Sequence, residues 1–442
     1  FWSERVKIPT FIKILIPGMG VKRWFFLSAA GVTLLVFGAF CLLGEGGMRS
    51  VYQAVAKFLP TLWRPAVGAA LAAGGLVGII VGTTMMVRRI LSAVSPDRGG
   101  SVTEALYQAR ILKSAPNVVA IGGGTGLSNL LRGVKHYTAN LTAVVTVMDT
   151  GGSSGRLRRE LDVLPPGDVR NCLLALAEDE ERMAKFLQYR FTAGEGLAGH
   201  ALGNILLAGL EEALGGFDRA IEEASYFLSV RGQVLPATLD KVQLVAELAD
   251  GRVIEGEAEI AADLTPIKRI WLSRPAQAYE RAIKAIAEAD VIIIGPGSLH
   301  TSIIPNLLVK GIAEAIDRSL AEKFVIMNLM TEPGETIGYT AHDHLKVLAQ
   351  YLDLRRFTGV VVNTELPPPE ILEHYRREGS EPVKDDLRGA KTLGMRVIRA
   401  PLLMVVEMEG KPTVKHDPLK LAKLLTRESK GLRHSWTRWF NP

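Results

Sequence analysis

The sequence predicts an α/β chain: a doubly wound, mostly parallel sheet with an inserted β-hairpin subdomain, preceded by two transmembrane helices. Three observations carry this. From Asn117 onward, short apolar runs alternate with helix-length amphipathic stretches, the pattern of a parallel sheet. Residues 242–260 instead alternate one by one about Asp250-Gly251, which marks an antiparallel hairpin. Two uncharged stretches near the start, residues 24–43 and 65–87, are long enough to cross a bilayer.

Taken in order, the uncharged stretches come first. A helix rises about 1.5 Å per residue, so each reaches across a hydrocarbon core of roughly 30 Å. Core helices seldom run that far without a polar face. A cleaved signal peptide is disfavoured, because no A-x-A site follows and Phe40 stands before Cys41. Arg5, Lys7, Lys13, Lys22 and Arg23 precede the first stretch, and Arg88, Arg89 and Arg98 follow the second. Residues 44–64 between them carry only Arg49, Lys57 and Arg64. The positive-inside rule then predicts a multi-pass cell-membrane protein, with both termini and the main domain cytoplasmic and the lipid bilayer as a partner. The net charge is +6, from 52 Lys+Arg against 46 Asp+Glu, and the excess gathers beside these stretches, so no nucleic-acid partner is expected. Two cysteines, Cys41 and Cys172, exclude a disulfide framework and a cysteine-based zinc site.

Residues 95–116 read as a linker and short helix, 117–425 as the main domain, and 426–442 as a basic aromatic tail. Trp436, Trp439 and Phe440 in that tail suit either a membrane interface or packing on the domain. Buried strands are expected at 117–121, 141–147, 291–294, 324–327 and 359–362.

Candidate site residues cluster after three of these strands. The first is followed by Gly122-Gly123-Gly124-Thr125-Gly126 and an amphipathic helix, 127–136. Glycines let the backbone approach a ligand, and a helix N-terminus behind them favours an anion. This is neither a Walker A motif nor a strict GxGxxG. After the second strand comes Asp149, placed to bond a ribose or a metal, then Gly151, Gly152, Ser153, Ser154, Gly155 and Arg156, a second phosphate-friendly loop. Asp168 reads either as the N-cap of the next helix or as a site residue, with Asn171 in that helix's first turn. His200 and Asn204, one helical turn apart, are either a ligand pair or structural. After residues 291–294 the chain reads Gly295-Pro296-Gly297-Ser298-Leu299-His300-Thr301-Ser302, a third glycine loop with small residues, hydroxyls and a helix start.

These motifs resemble the YvcK-like proteins, bacterial gluconeogenesis factors related to the CofD 2-phospho-lactate transferases. The resemblance rests on AIGGGTGLSNLL, VMDTGGSSGRLRREL, LPPGDVRNCLLA, GHALGN, GPGSLHTSIIPNL and NLMTEPGETIGYTAHDHL, and covers 117 to about 425. It implies a Rossmann-like fold, a UDP-sugar site of UDP-N-acetylglucosamine type, and a role in cell shape and cell-wall synthesis on gluconeogenic carbon sources. Cell-wall synthesis proteins and a second copy of the chain are the protein partners it suggests. It also implies that Tyr375 and the stretch Lys415-His416-Asp417 join the site. Lys415 stands where the family typically has Arg, and Thr150 where it has a second Asp. Two functions follow: a regulator that binds a UDP-sugar without turnover, or a transferase moving a phospholactyl-type group from a nucleotide diphosphate to a deazaflavin. The transferase would need a metal such as Mg2+, with Asp149 its first ligand. The residues supply no catalytic triad, so no catalytic residue is assigned and binding is favoured.

Overall fold

The computed structural model describes residues 114–432, apart from 388–393 and 409, together with isolated positions between 32 and 112. The chain divides into two compact units, 1–110 and 111–442. In the first unit the described positions, among them Val32, Tyr52 and Ala66, are helical. The expected spans 24–43 and 65–87 lie outside the described residues except at Val32 and Ala66. Among the described residues no helix is long and apolar enough to cross a membrane. The multi-pass expectation therefore gains no support here. The linker, most of the 101–113 helix and the 433–442 part of the tail also lie outside the described residues.

The second unit is built on a seven-stranded sheet. Its strands are Val118–Gly122 (β1), Leu141–Val145 (β2), Gln233–Pro236 (β3), Val291–Ile294 (β7), Glu322–Ile326 (β8), Gly359–Asn363 (β9) and Arg396–Ala400 (β10). The order is β10-β9-β8-β7-β1-β2-β3, and every pairing is parallel. Strand residues alternate between the two faces. Val118 and Ala120 enter one apolar core, and Val119 and Ile121 the other. The chain winds outward from β1 to β3, returns to β7 beside β1, and winds outward again to β10. The reversal lies between β1 and β7, the position where open α/β sheets form a crevice at the carboxyl ends of their strands.

Edge strands β3 and β10 were not anticipated. One is short and ends in Pro236, and the other carries Arg396 and Arg399, so neither reads as an apolar run. The hairpin expected at 242–260 is present as Leu244–Leu248 (β4) and Val253–Glu255 (β5), but it is shorter. Gly256, at φ +110°, turns the chain into a short helix, Glu257–Ala262, and Ile267–Leu272 (β6) adds a third antiparallel strand. A second hairpin, Leu403–Met408 (β11) with Lys411–His416 (β12), was also unforeseen.

The helices used below are Gly124–Val134 (α1), Gly152–Leu161 (α2), Gly167–Leu176 (α3), Leu202–Leu214 (α4), Glu257–Ala262 (α5), Pro369–Arg377 (α6) and Pro418–Glu428 (α7). Two expectations are corrected. Pro166, not Asp168, occupies the N-cap of α3, and Asp168 falls within its first turn. His200 precedes α4, which starts after Ala201, so His200 and Asn204 do not share a helix. Helix α7 packs so closely on α1 that a Cβ at Gly133 would lie 1.9 Å from the Pro418 carbonyl oxygen. The folded unit thus runs past residue 425, and Leu432 is buried in the core.

Candidate functional site

The loops leaving β1 and β7 face one another, and both begin helical turns. Past β1, Gly123 is extended and Gly124 opens α1 at φ +61°, a conformation that suits glycine. Gly126 has no room for a side chain, since its Cβ would lie 2.5 Å from the Pro296 oxygen in the opposing loop. In that opposing loop, Gly295 and Gly297 adopt φ values of +76° and +157°. Asn328, just beyond β8, holds Gly297 through both main-chain groups. The Gly297 N–H donates to Asn328 Oδ1 at 3.2 Å, and Asn328 Nδ2 donates to the Gly297 carbonyl at 2.9 Å. The following turn is fixed by Glu335, which accepts from the His300 and Thr301 N–H groups at 3.1 and 3.2 Å and from the Thr301 hydroxyl at 2.7 Å. Burial, reinforced by Glu332, pushes Glu335 up to about 7.

A third wall comes from α6 and the β11–β12 hairpin. The Tyr375 hydroxyl accepts the Val414 N–H at 2.9 Å, which ties the aromatic ring to β12. Burial, then the nearby Arg132, hold the Lys415 ammonium below the usual lysine range. Together the three walls enclose a cavity of about 310 Å3. Gly123, Gly124, Thr125 and Gly126 line one side, with Gly297 and Ser298 opposite and Tyr375 and Lys415 on the third wall. Gly122 ends β1, and Gly295 immediately follows β7, at the base of these loops.

Sequence reasoning missed Asn129, Asn328 and Glu332, and it placed His416 there only by resemblance; all four line the cavity, as does Ser302 at the end of the third glycine loop. Asn328 and Glu332 follow the next strand of the sheet, and that position alone could have found them. His416 arrives on a hairpin whose pairing the sequence did not disclose.

The loop after β2 contributes differently. Asp149 Oδ1 accepts the Gly151 N–H at 2.8 Å, folding its own loop. Asp168 bonds the Gly124 main chain, and a Cβ at Gly123 would lie 2.7 Å from its Oδ2, so it presses on the back of the first glycine loop. Burial and the Asp149 carboxylate push Asp168 up to about 7. Burial, with Asp149 next, pushes Glu257 at the head of α5 to about 8. Crowded carboxylate oxygens suit Mg2+. Yet among the described residues no three of His, Cys, Asp and Glu are placed to hold a metal ion. Asp149 and Asp168 would be the protein's share of a magnesium site, and ligand phosphates would have to supply the remainder. Thr150 faces the inserted subdomain: its hydroxyl donates to Glu259 at 2.8 Å and accepts the Ala258 N–H at 3.0 Å.

The remaining expected residues, Gly152, Ser153, Arg156, Asn171, His200 and Asn204, do not line the cavity. Gly152 opens α2 at φ +43°. The Ser153 hydroxyl accepts from Asn204 Nδ2 at 3.1 Å and from the Ala201 N–H at 3.3 Å. A hydroxyl has two lone pairs and one proton. Its proton is therefore left for His200 Nδ1, 3.0 Å away. Burial, then Arg156, lower the His200 pKa, which keeps the ring neutral and able to accept. Arg170 donates to Asn204 Oδ1 at 2.9 Å and to Asn171 Oδ1 at 3.0 Å, and Arg156 to the Ala198 carbonyl at 2.9 Å. With its oxygen saturated, Ser153 is a structural post, not a nucleophile.

Residues 118–403 match the family described as 2-phospho-L-lactate transferase CofD. A protein of Nostoc sp. named as a candidate gluconeogenesis factor is 44% identical over 440 residues, covering 97% of this chain and 94% of its own. The gluconeogenesis factor of Bacillus subtilis is 46% identical over 312 residues, 70% of this chain and 97% of its own. A crystal structure of a Bacillus halodurans protein superposes with a TM-score of 0.67 at 45% identity, covering 70% of this chain and 99% of that one.

Proposed function

The chain belongs to the CofD family, among its gluconeogenesis-factor relatives, and on that premise we propose that it binds a nucleotide sugar of UDP-N-acetylglucosamine type and regulates cell shape and cell-wall synthesis during gluconeogenic growth. The observation that carries the reading is the cavity of about 310 Å3 in which two glycine loops meet Tyr375 and Lys415. Main-chain N–H groups at the head of α1 suit a diphosphate, the ammonium adds charge, and an aromatic ring suits a base. These groups hold a ligand without requiring that a bond be made or broken. The sensor would pass its state to cell-wall synthesis proteins, with a second copy of the chain as a further partner. The charge-free stretches 24–43 and 65–87 support placing it at the cell membrane with its main domain cytoplasmic. Release of the full-length chain from membranes by alkaline carbonate would count against that placement.

Calorimetric titration of the full-length chain with UDP-N-acetylglucosamine, with and without magnesium, tests the binding. Saturable heat without product, lost in Gly124→Val, is the expected result. A wild-type chain that takes up no UDP-sugar overturns the proposal.

The family match and the carboxylates behind Gly124 favour a second reading. In it the chain would transfer a phospholactyl-type group from a nucleotide diphosphate donor to a deazaflavin alcohol; Asp149 and Asp168 would hold Mg2+, which would supply charge neutralisation for the nucleotide leaving group. Magnesium-dependent product formation from such a donor would establish it over the sensor.

A further inference from the structure

Two side chains of opposite charge line the cavity, Lys415 on the hairpin wall and Glu332 beyond β8, and both are partly exposed. The protein balances neither. Lys415 feels burial and then Arg132, a like charge, and no described carboxylate offsets it. Glu332 stands near Glu335, again a like charge, and Ser298 supplies its side-chain hydrogen bond. A carboxylate offers about four acceptor sites, so one hydroxyl leaves most of them open. The Glu332 oxygens are not among the atoms sealed from solvent without a partner, so a ligand can reach the open sites.

The helical starts at these two places also differ. Helix α1 has no acidic residue in its first turn and no side-chain cap, and Asp168 meets its main chain at Gly124. The N–H groups that follow are left for an anion. Beyond Ser298, by contrast, the His300 and Thr301 N–H groups are already taken by Glu335, at 3.1 and 3.2 Å. Lys415 lies on the α1 side, since Arg132 of that helix acts on it and Asn129 bonds the carbonyl of the next residue. Glu332 lies on the Ser298 side, where a phosphate would meet a carboxylate and an occupied helix end. Phosphate is repelled there, whereas a hydroxyl is attracted. Burial raises the Glu332 pKa and the Ser298 bond opposes the rise, so each further donor favours the ionised form.

We propose that Glu332 is a specificity determinant whose carboxylate accepts hydrogen bonds from hydroxyl groups on the sugar or nucleoside of the ligand, while α1 and Lys415 take the diphosphate. The inference rests on the nucleotide-sugar reading above and gives the ligand a direction in the cavity.

Glu332→Gln keeps the shape of the side chain and one acceptor while removing the charge. The full-length chain and this variant are titrated, with magnesium present, against UDP-N-acetylglucosamine, UDP and inorganic pyrophosphate. Glu332→Gln is expected to lose roughly ten-fold in affinity for UDP-N-acetylglucosamine and to hold or gain affinity for pyrophosphate. Pyrophosphate binding then certifies that the variant is folded. UDP separates the two sources of the hydroxyl: a loss shared by UDP puts it on the nucleoside, and a loss confined to the nucleotide sugar puts it on the sugar. Lys415→Met should weaken all three probes, pyrophosphate included. Equal loss of every probe in a Glu332→Gln chain that melts like wild type, as removal of a magnesium ligand would give, overturns the assignment. So does no loss of any. The 13C resonance of the Glu332 carboxyl in the wild-type chain gives a reading independent of any variant. It should move with UDP-N-acetylglucosamine and stay in place with pyrophosphate; equal behaviour in the two titrations also overturns the assignment. Wild-type protein that binds pyrophosphate but neither UDP nor its sugar conjugate would instead bring down the ligand reading, and this inference with it.

Discussion

Ser153 and Ser298 occupy matching places, each at the start of a helical segment following a strand of one sheet, yet their surroundings differ. Ser153 is enclosed by His200, Ala201 and Asn204, which use its proton and both lone pairs. Ser298 lines the cavity beside Glu332, whose carboxyl it bonds and whose pKa burial raises. The Ser153 hydroxyl is thus saturated by its neighbours. The Ser298 side chain instead fronts the cavity. Glycine-rich loops carrying hydroxyls look alike in sequence. What separates a scaffold from a receptor is whether the polar groups have capacity left.

The sharpest way to break this contrast is Gly126→Val. Its side chain would meet the Pro296 main chain and force the two loops apart, and a displacement of that kind should cost about a hundred-fold or more in ligand affinity. Calorimetry showing wild-type affinity would mean that the cavity is not the receptor. The surroundings of Ser153 should respond in the opposite currency. Asn204→Ala strips partners from Ser153 and Arg170 and is expected to lower stability by about 1–3 kcal/mol while binding is preserved, as read by chemical denaturation beside titration.

Acidity tests the carboxylate group between the two regions. Asp168 has a folded pKa of about 7 against an ordinary 3.8, so between those values the folded chain keeps a proton that the unfolded chain has released. Wild-type stability should therefore fall as pH rises through that window. Asp168→Asn removes the titration. Its melting temperature should draw level with or exceed wild type toward pH 8, and a constant offset at every pH would refute the reading. The smallest effect is expected from Lys415→Arg, which restores a planar fork on the cavity wall. Affinity for a nucleotide diphosphate should rise by only a few-fold, and a fall would show that the wall cannot admit the bulkier group.

The central strands were legible because each is buried on both faces and reads as an unbroken apolar run, as in Val291–Ile294. The three glycine loops could be placed at strand ends for the same reason. Edge strand Arg396–Ala400 hid because two of its five residues, Arg396 and Arg399, face water. Asp149, Asp168 and His200 looked equivalent to Gly124 and Ser298 in sequence, since sequence shows which polar groups are present and not which are already paired. His416 was out of reach by spacing alone: β12 must pair with β11 before its main chain arrives beside Asn129.

The seam between β1 and β7 has a consequence for when the cavity comes into being. Asn306 Nδ2 donates to the Gly122 carbonyl at 3.0 Å across 184 residues of chain, and the opposing glycine loops are almost as distant in sequence. A nascent chain that has emerged only as far as β3 presents the first loop with nothing facing it. Capture of a ligand must await the synthesis of β7 and its docking against β1, so whatever occupies this cavity counts only finished molecules. By mass action it then draws those molecules away from the unfolded pool on which proteases feed.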